Sequence, residues 1–304
     1  MNKMEWYPSE SSPELFPAEI ISGGFVQEDE KFVPLPLRQF VSNGWGKKGS
    51  TYLVGGNEKS FPIALKITWI SYCERKIYSG IFGLSLEKIK LGFADGFISP
   101  LDNKKKTYNF IVVGMAPLGY ISIWLNGDQI SKEIDHFKCD IDKDFDISAF
   151  LGANNTLENY IQSQIRYMNP GLLKINNLFT QRFSDKWNIV FRENIEITIR
   201  IVSFLEPLSL HISFFNGESF NLFFDENKII KVNNVPRNIY IKWSISDNDN
   251  KIAGCMFEEE LIFEAISILS RGFDGFLEMV IQLSDIDGSV RVFLKNHLSF
   301  IKLK

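Results

Sequence analysis

Cysteine and histidine are scarce in this chain, three of each in 304 residues. Cys73, Cys139 and Cys255 are far apart and odd in number. That excludes a disulfide-stapled scaffold and fits a reducing compartment. His136, His211 and His297 are as remote from one another and show no H-E-x-x-H spacing of the zinc-hydrolase kind. No G-x-S-x-G elbow offers a serine nucleophile. No apolar run reaches the roughly 18 residues that a membrane-spanning helix needs. The opening "MNKMEWYPSESSPELFP" contains no apolar stretch of the export-signal kind. Excess basic charge is missing as well. Against 33 Lys and Arg stand 37 Asp and Glu, a formal net charge of −4, so the broad positive field of a nucleic-acid binder is absent. The expectation is a cytoplasmic chain with no nucleic-acid partner, no membrane span, no metal and no cofactor. A periplasmic or envelope location would require a signal that has been lost.

What is present is an ordinary globular balance, 45% hydrophobic and 23% charged, with aromatics at 14%. The chain also repeats itself. "FPIALKITWISYCERKIYSGIFGLSLEKIKLGFADGF" is answered by "VPRNIYIKWSISDNDNKIAGCMFEEELIFEAISILSRGFDGF". Pro62, Trp69 and Gly80 match Pro236, Trp243 and Gly254 at one common offset. "GYISIWL" at 119–125 matches "GSVRVFL" at 288–294, with Phe293 standing for Trp124, and the "NG" at 43–44 returns at 216–217. An ordered series of this kind is the mark of tandem copies.

Each copy reads as strand, strand, helix, strand, strand. Residues 63–71 and the "IYSGIF" run alternate as strands around the turn "CERK". Leu86, Ile89 and Phe93 recur at helical spacing behind Ser85, a candidate cap. In the second copy Ile262, Ala265, Ile266 and Leu269 do the same, behind three glutamates that suit a helix N-terminus. The fold class that follows is α+β, a tandem duplication of an antiparallel-sheet domain. Residues 1–150 form the first copy, 151–175 a helical linker and 176–304 the second. In the linker, Asn155 and Glu158 have capping-box spacing and Pro170-Gly171 stops the helix.

Two segments invite chemistry. "NGWGKKGST" at 43–51 resembles a phosphate loop, but the lysine required after Gly49 is missing and a strand pattern follows instead of a helix. A glycine turn, or a binding loop using Trp45, Lys47, Lys48 and Tyr52, fits better. "CDIDKDFD" places Asp140, Asp142, Asp144 and Asp146 at alternate positions. It lacks the glycine and glutamate of a helix-loop-helix calcium site, holding Phe145 and Leu151 there. Alternation suits an exposed strand edge or an acidic partner surface. No catalytic set emerges. A hydrolase would need several of Glu74, Asp95, His136, Asp140 and His211 to converge in one pocket. A carbohydrate-binding module would need an exposed aromatic platform, for which Trp45 and Trp124 are the candidates.

The first half carries a further signal. Gly44-Trp45-Gly46 with Gly49-Ser50-Thr51 precedes Trp69, Ser71, Tyr72 and Glu74, then Tyr78 and Gly80, then Trp124-Leu125. As a set, over about residues 35–135, these resemble an uncharacterised bacterial family, a domain of unknown function whose members are often small lipoproteins. The resemblance implies no catalytic residues. It also implies, for some members, service as immunity partners of toxins passed between bacteria. The expected function is therefore that of a non-enzymatic immunity protein, holding a cognate toxin encoded by the adjacent gene.

Overall fold

A computed structural model describes residues 3–152, 155–168, 195–203, 206–224, 229–246, 249–271, 276–284 and 289–304. Pro170-Gly171, the strand pattern of 186–194, the "DN" at 247–248, most of "GFDGF" at 272–276 and the turn at 285–288 lie outside them. The chain is α+β and forms two compact units. The first holds the described residues up to Met168 apart from 98–105; the second holds 98–105 and the described residues from 195 onward. Among the described residues no helix is long and apolar enough to cross a membrane.

The first unit runs β1 (Lys3–Glu5), β2 (Tyr7–Ser11), β3 (Ala18–Gln27), β4 (Phe32–Pro34), β5 (Glu58–Ser60), β6 (Pro62–Ser71), β7 (Lys76–Gly83) and α1 (Leu86–Asp95). The short β8 (Phe97–Ile98) and β9 (Lys105–Lys106) stand at the ends of the 98–105 segment, and the first unit resumes with β10 (Phe110–Ala116), β11 (Tyr120–Gly127), β12 (Ile130–Lys138), β13 (Asp140–Ile141), α2 (Ile147–Leu151) and α3 (Leu157–Met168). One sheet has the antiparallel order β13-β7-β6-β3-β4. In the other, β12, β11 and β10 are antiparallel neighbours and β2 lies parallel to β10. Alternation along β6 turns Leu65, Ile67 and Trp69 inward, where they meet Ile111, Val113, Ile121, Ile123 and Leu125 of the second sheet in one core. Helix α1 adds Ile89 and Phe93. Ser85 makes no cap bond of its own; Asp135 of β12 accepts from its backbone N–H at 2.7 Å and its hydroxyl at 2.6 Å.

Helix α3, expected as a linker, is packed on the first unit. Its Ile161 and Ile165 are buried with Ile21, Ile70, Tyr72 and Ile77. Its cap is Thr156, whose Oγ1 accepts from Asn159 N at 3.2 Å, one residue later than the sequence pattern suggested.

The second unit runs β14 (Ile197–Val202), β15 (Glu206–Phe214), β16 (Ser219–Phe223), β17 (Ile229–Val232), β18 (Pro236–Ser246), β19 (Asp249–Met256), α4 (Glu259–Ser270), β20 (Leu277–Leu283), β21 (Val290–Lys295) and β22 (Phe300–Lys302). Its pairings follow the pattern of the first. β14 runs parallel to β20 and pairs β17, as β2 runs parallel to β10 and the preceding β1 pairs β5. β16, β15, β18 and β19 neighbour one another as β4, β3, β6 and β7 do. Helix α4 follows β19 as α1 follows β7, and Trp243, like Trp69, is buried at 1% exposure.

Two of the sequence matches are out of register. Trp69 lies across from Tyr78 and Ile67 across from Gly80, whereas Trp243 lies across from Lys251 and Ile241 across from Ala253. Gly80 therefore occupies the position of Ala253, and Gly254 that of Ile81. Asn216-Gly217 make the β15–β16 turn, which answers the β3–β4 turn at 28–31 and not Asn43-Gly44. Residues 35–57 lie between β4 and β5, whereas β16 and β17 are separated by residues 224–228 alone.

Candidate functional site

The 35–57 segment between β4 and β5 carries the glycine-rich stretch. Gly44 and Gly46 take φ of 101° and 75°, and Lys47 N donates to Gly44 O at 3.1 Å, closing a tight turn. The turn drives Trp45 inward. Its indole is 5% exposed and meets Trp124 edge-on, with ring centroids 4.7 Å apart. Gly114 makes room for both rings, because a Cβ there would stand 2.3 Å from Trp124 and 2.8 Å from Trp45. Gly114→Ala is accordingly expected to destabilise the chain by about 1–3 kcal/mol through overpacking, read as a lower denaturant midpoint.

Backbone bonds strap the loop down. Ser11 Oγ donates to Gly44 O at 2.8 Å, and Asn126 Nδ2 and Ser131 Oγ reach Gly46 O at 3.4 and 3.3 Å. Gly49 N donates to Glu10 O at 2.9 Å and Ser50 N to Glu10 Oε1 at 2.8 Å. A phosphate loop offers its N–H groups to an anion at the start of a helix. Here a carboxylate already takes the N–H of Ser50, and β5 follows. Trp45, a candidate contact residue in the sequence, belongs to the interior. What the loop leaves outside is Lys47, 3.6 Å from Glu14, Lys48, 3.9 Å above the Phe110 ring, and Tyr52 beside the 72% exposed Leu53. Trp45 and Trp124 are both buried, so they offer no exposed platform.

The acidic run divides by role. Asp140 is exposed on β13, where it lies across from Ser79, and Ile141 beside it is 45% exposed. Asp142 N donates to Ile77 O at 2.9 Å, which fixes the chain along β7, and Asp144 is exposed. Asp146 caps α2, accepting from Ser148 N at 3.0 Å and Ala149 N at 3.2 Å. The Ser148 hydroxyl and these amides hold its carboxyl below the usual range. Among the described residues no group of three or more His, Cys, Asp or Glu is arranged to hold a metal. The hydrolase candidates do not gather either. Asp95, His136 and Asp140 are exposed, Glu74 is buried in a bonded network, and His211 belongs to the second unit.

Two buried carboxylates, Glu10 and Glu19, went unread in the sequence, and a third, the 1% exposed side chain of Glu74, was read only as a hydrolase candidate and a family position. Glu10 anchors the loop, and burial raises its pKa. Glu19, 1% exposed, accepts from the hydroxyl of Tyr72 through Oε2, and from the hydroxyl of Tyr160 through Oε1 at 2.9 Å and Oε2 at 2.8 Å. Burial raises the pKa of Glu19, while the two tyrosines and the charge of Arg38 oppose the rise. Glu74 accepts from Ser71 Oγ at 2.8 Å, Leu118 N at 2.9 Å and Tyr78 Oη at 2.9 Å. The signal available was an acidic residue in the middle of a strand pattern, as in "PSESS" and "PAEII". Burial also pushes the Cys73 thiol up to about 11 and Cys139 to about 12, so both are protonated thiols at neutral pH and poor nucleophiles.

The model of a family described as protein of unknown function (DUF2931) matches residues 1–169, which is the whole of the first unit's described chain and more than half the protein. No curated protein and no solved structure matches the chain. The strapped tryptophan loop, the Glu19 and Glu74 networks and α3 all fall within the matched residues, and the chain belongs to this family.

Proposed function

We propose that the chain is a bacterial immunity protein that binds and neutralises a cognate secreted toxin. The observation that carries this reading is the 35–57 insertion. It is fixed from beneath by Trp45 and Glu10 and presents Lys47, Lys48, Tyr52 and Leu53 outward. The second unit repeats the surrounding strand pattern with a short connection at this place. Loops carried on a rigid scaffold are where recognition is usually housed, and a pre-ordered loop loses little entropy on binding. Asp140 and Asp144 add an acidic face suited to a basic partner, such as a nuclease toxin with a basic cleft.

The two units descend from a tandem duplication in this reading. Support comes from the matched strand pairings, including the parallel β2–β10 and β14–β20 contacts. The first copy was elaborated and the second kept the scaffold. The place of encounter is the cytoplasm, where the free thiols of Cys73, Cys139 and Cys255 persist.

The test is capture of the purified chain by the product of the neighbouring gene, and growth of cells expressing both. Binding and rescued growth are expected. Lys47→Glu with Lys48→Glu, or Asp140→Lys with Asp144→Lys, is expected to weaken binding at least about tenfold, which is about 1.4 kcal/mol. A neighbour that neither binds nor poisons cells in a rescuable way removes the proposal.

A further inference from the structure

Alternation along β15 and β18 gives the second unit's sheet two unlike faces. Leu210, Ile212, Ile239, Ile241 and Trp243 go to the core. Ser209, His211, Ser213, Asn238, Tyr240 and Lys242 go the other way. Strand pairing sets these in rows. Asn221, His211, Tyr240 and Gly254 stand across from one another over β16, β15, β18 and β19. Ser213 and Asn238 are paired on one side of that row, Ser209 and Lys242 on the other. Among the described residues none of Ser209, His211, Ser213, Asn221, Asn238 and Lys242 has a side-chain hydrogen bond or ion pair. His211 Nδ1, Asn221 Nδ2 and Asn238 Oδ1 are buried in that state, while the second polar atom of each side chain reaches the surface. A buried polar atom without a partner costs about 1–3 kcal/mol. Three on one patch point to a purpose other than stability. Beside them the Tyr240 ring lies over Gly254, 2.7 Å from where a Cβ would stand, and is 47% exposed. This is the open aromatic platform that Trp45 and Trp124 do not supply.

We propose that this face binds a neutral saccharide, with one sugar ring stacked on Tyr240 and its hydroxyls on Asn238, Lys242 and His211. A pyranose has an apolar C–H face that packs on an aromatic ring, and a rim of hydroxyls. Each hydroxyl both donates and accepts, so one ligand satisfies an amide, an imidazole and an ammonium together. Burial holds the His211 pKa below its ordinary 6.5, so near pH 7 the ring is neutral and can donate from one nitrogen and accept at the other. The spacing suits such a ring. Neighbours of Tyr240 stand about 5 Å away across the strands and about 7 Å away along its own strand. The row from Asn221 to Gly254 crosses four strands, about 14 Å, which leaves room for a short oligosaccharide. Charge excludes other occupants. The paired positions around Tyr240 hold no Asp or Glu for a basic partner, and a polyanion would meet Lys242 alone. The proposal concerns the second unit and stands whether or not the toxin reading holds.

The test passes the full chain, carrying a fluorescent label, over an array of immobilised neutral and acidic glycans. Retention by a neutral glycan is expected, and it is expected to persist at high salt. The same glycan in free form, added to isotope-labelled chain, is expected to shift amides of β15, β18 and β19. Tyr240→Ala is expected to lower the affinity at least about tenfold. Tyr240 also covers Gly254, so Tyr240→Leu keeps an apolar cover there and removes only the aromatic face. It is expected to lose the glycan equally, with the far-ultraviolet spectrum and thermal midpoint unchanged, while Tyr240→Phe retains it. His211→Ala with Asn238→Ala is expected to weaken binding at least about tenfold as well. Retention of no glycan, or retention that Tyr240→Leu leaves intact, overturns the proposal. So does retention confined to acidic glycans and abolished by salt, because surface cations would then be the whole of the site.

Discussion

Trp45→Ala is expected to cost about 3–5 kcal/mol of stability, although the residue lies in a segment that the second unit does without. The indole is 5% exposed, and a tryptophan of that burial removes about 150–250 Å² from water. At about 25 cal/mol per Å² the transfer alone is about 4–6 kcal/mol, an upper bound because the unfolded chain is itself partly compact. The truncation also strips the edge-on partner from Trp124 and leaves a cavity above Gly114. Denaturant unfolding followed by circular dichroism measures the cost, and amide exchange locates it. Residues 44–50 are expected to lose protection, since Gly49 N and Ser50 N keep their Glu10 partner only while the loop stays seated. Lys47→Ala, by contrast, removes an exposed ion pair at 3.6 Å and is expected to change stability by less than about 0.5 kcal/mol. If Trp45→Ala proved as mild as Lys47→Ala, the loop would not be anchored by this side chain. A second consequence separates anchoring from crowding. The Cβ that Gly114→Ala adds is crowded by both indoles, so in the Trp45→Ala background its cost is expected to shrink without vanishing, because Trp124 remains the nearer ring.

Much of this arrangement was legible from residues alone, for physical reasons. A period of two marks β6, where Leu65, Ile67 and Trp69 must face a core, and a period near 3.6 marks α4 through Ile262, Ala265, Ile266 and Leu269. Phosphate binding failed in the sequence on a missing lysine and a missing helix, and in three dimensions it fails because Glu10 takes the Ser50 amide. What stayed hidden depends on contacts across long separations. Nothing local to Trp45 says that its cavity is cut by a glycine at 114, and nothing local to Glu19 names Tyr72 and Tyr160 as its partners. Counting offsets also misplaced Gly80 against Gly254. The spacing between paired tryptophans and glycines is blind to a one-residue shift across a hairpin turn, yet that shift moves a glycine from one face of the sheet to the other. The same face change gives Gly254 its role beneath Tyr240.

Glu19→Ala is expected to be as damaging as the loss of Trp45, at about 3–5 kcal/mol, and to release α3. The carboxylate is 1% exposed and accepts from two tyrosine hydroxyls, one on the loop after β6 and one on α3. Truncation leaves the buried Tyr72 hydroxyl and the half-buried Tyr160 hydroxyl without their acceptor, at up to about 1–3 kcal/mol each, and opens a cavity. Tyr160→Phe removes only the bond from the helix and is expected to cost about 1.5–3 kcal/mol, the range for a bond to a charged group. Glu19→Gln keeps the volume and one acceptor and is expected to fall below Glu19→Ala. Titration separates it further. Burial raises the Glu19 pKa above its ordinary value of 4.5, so the folded chain holds the proton more tightly than the unfolded chain. Stability from this group is then fully present below the unfolded pKa and is lost as pH rises through the folded one. Glu10 shifts in the same direction and contributes a parallel slope. Unfolding measured from pH 4 upward is expected to show that loss in the parent, a shallower loss in Glu19→Gln, and the remainder removed by adding Glu10→Gln. A pH slope unchanged by both substitutions would mean that these carboxyls titrate as they do in water. The tyrosine hydroxyls would then be bonding a group that water also reaches, and the grip of α3 on the sheet would rest chiefly on Ile161 and Ile165, with the Arg75–Glu158 ion pair beside them.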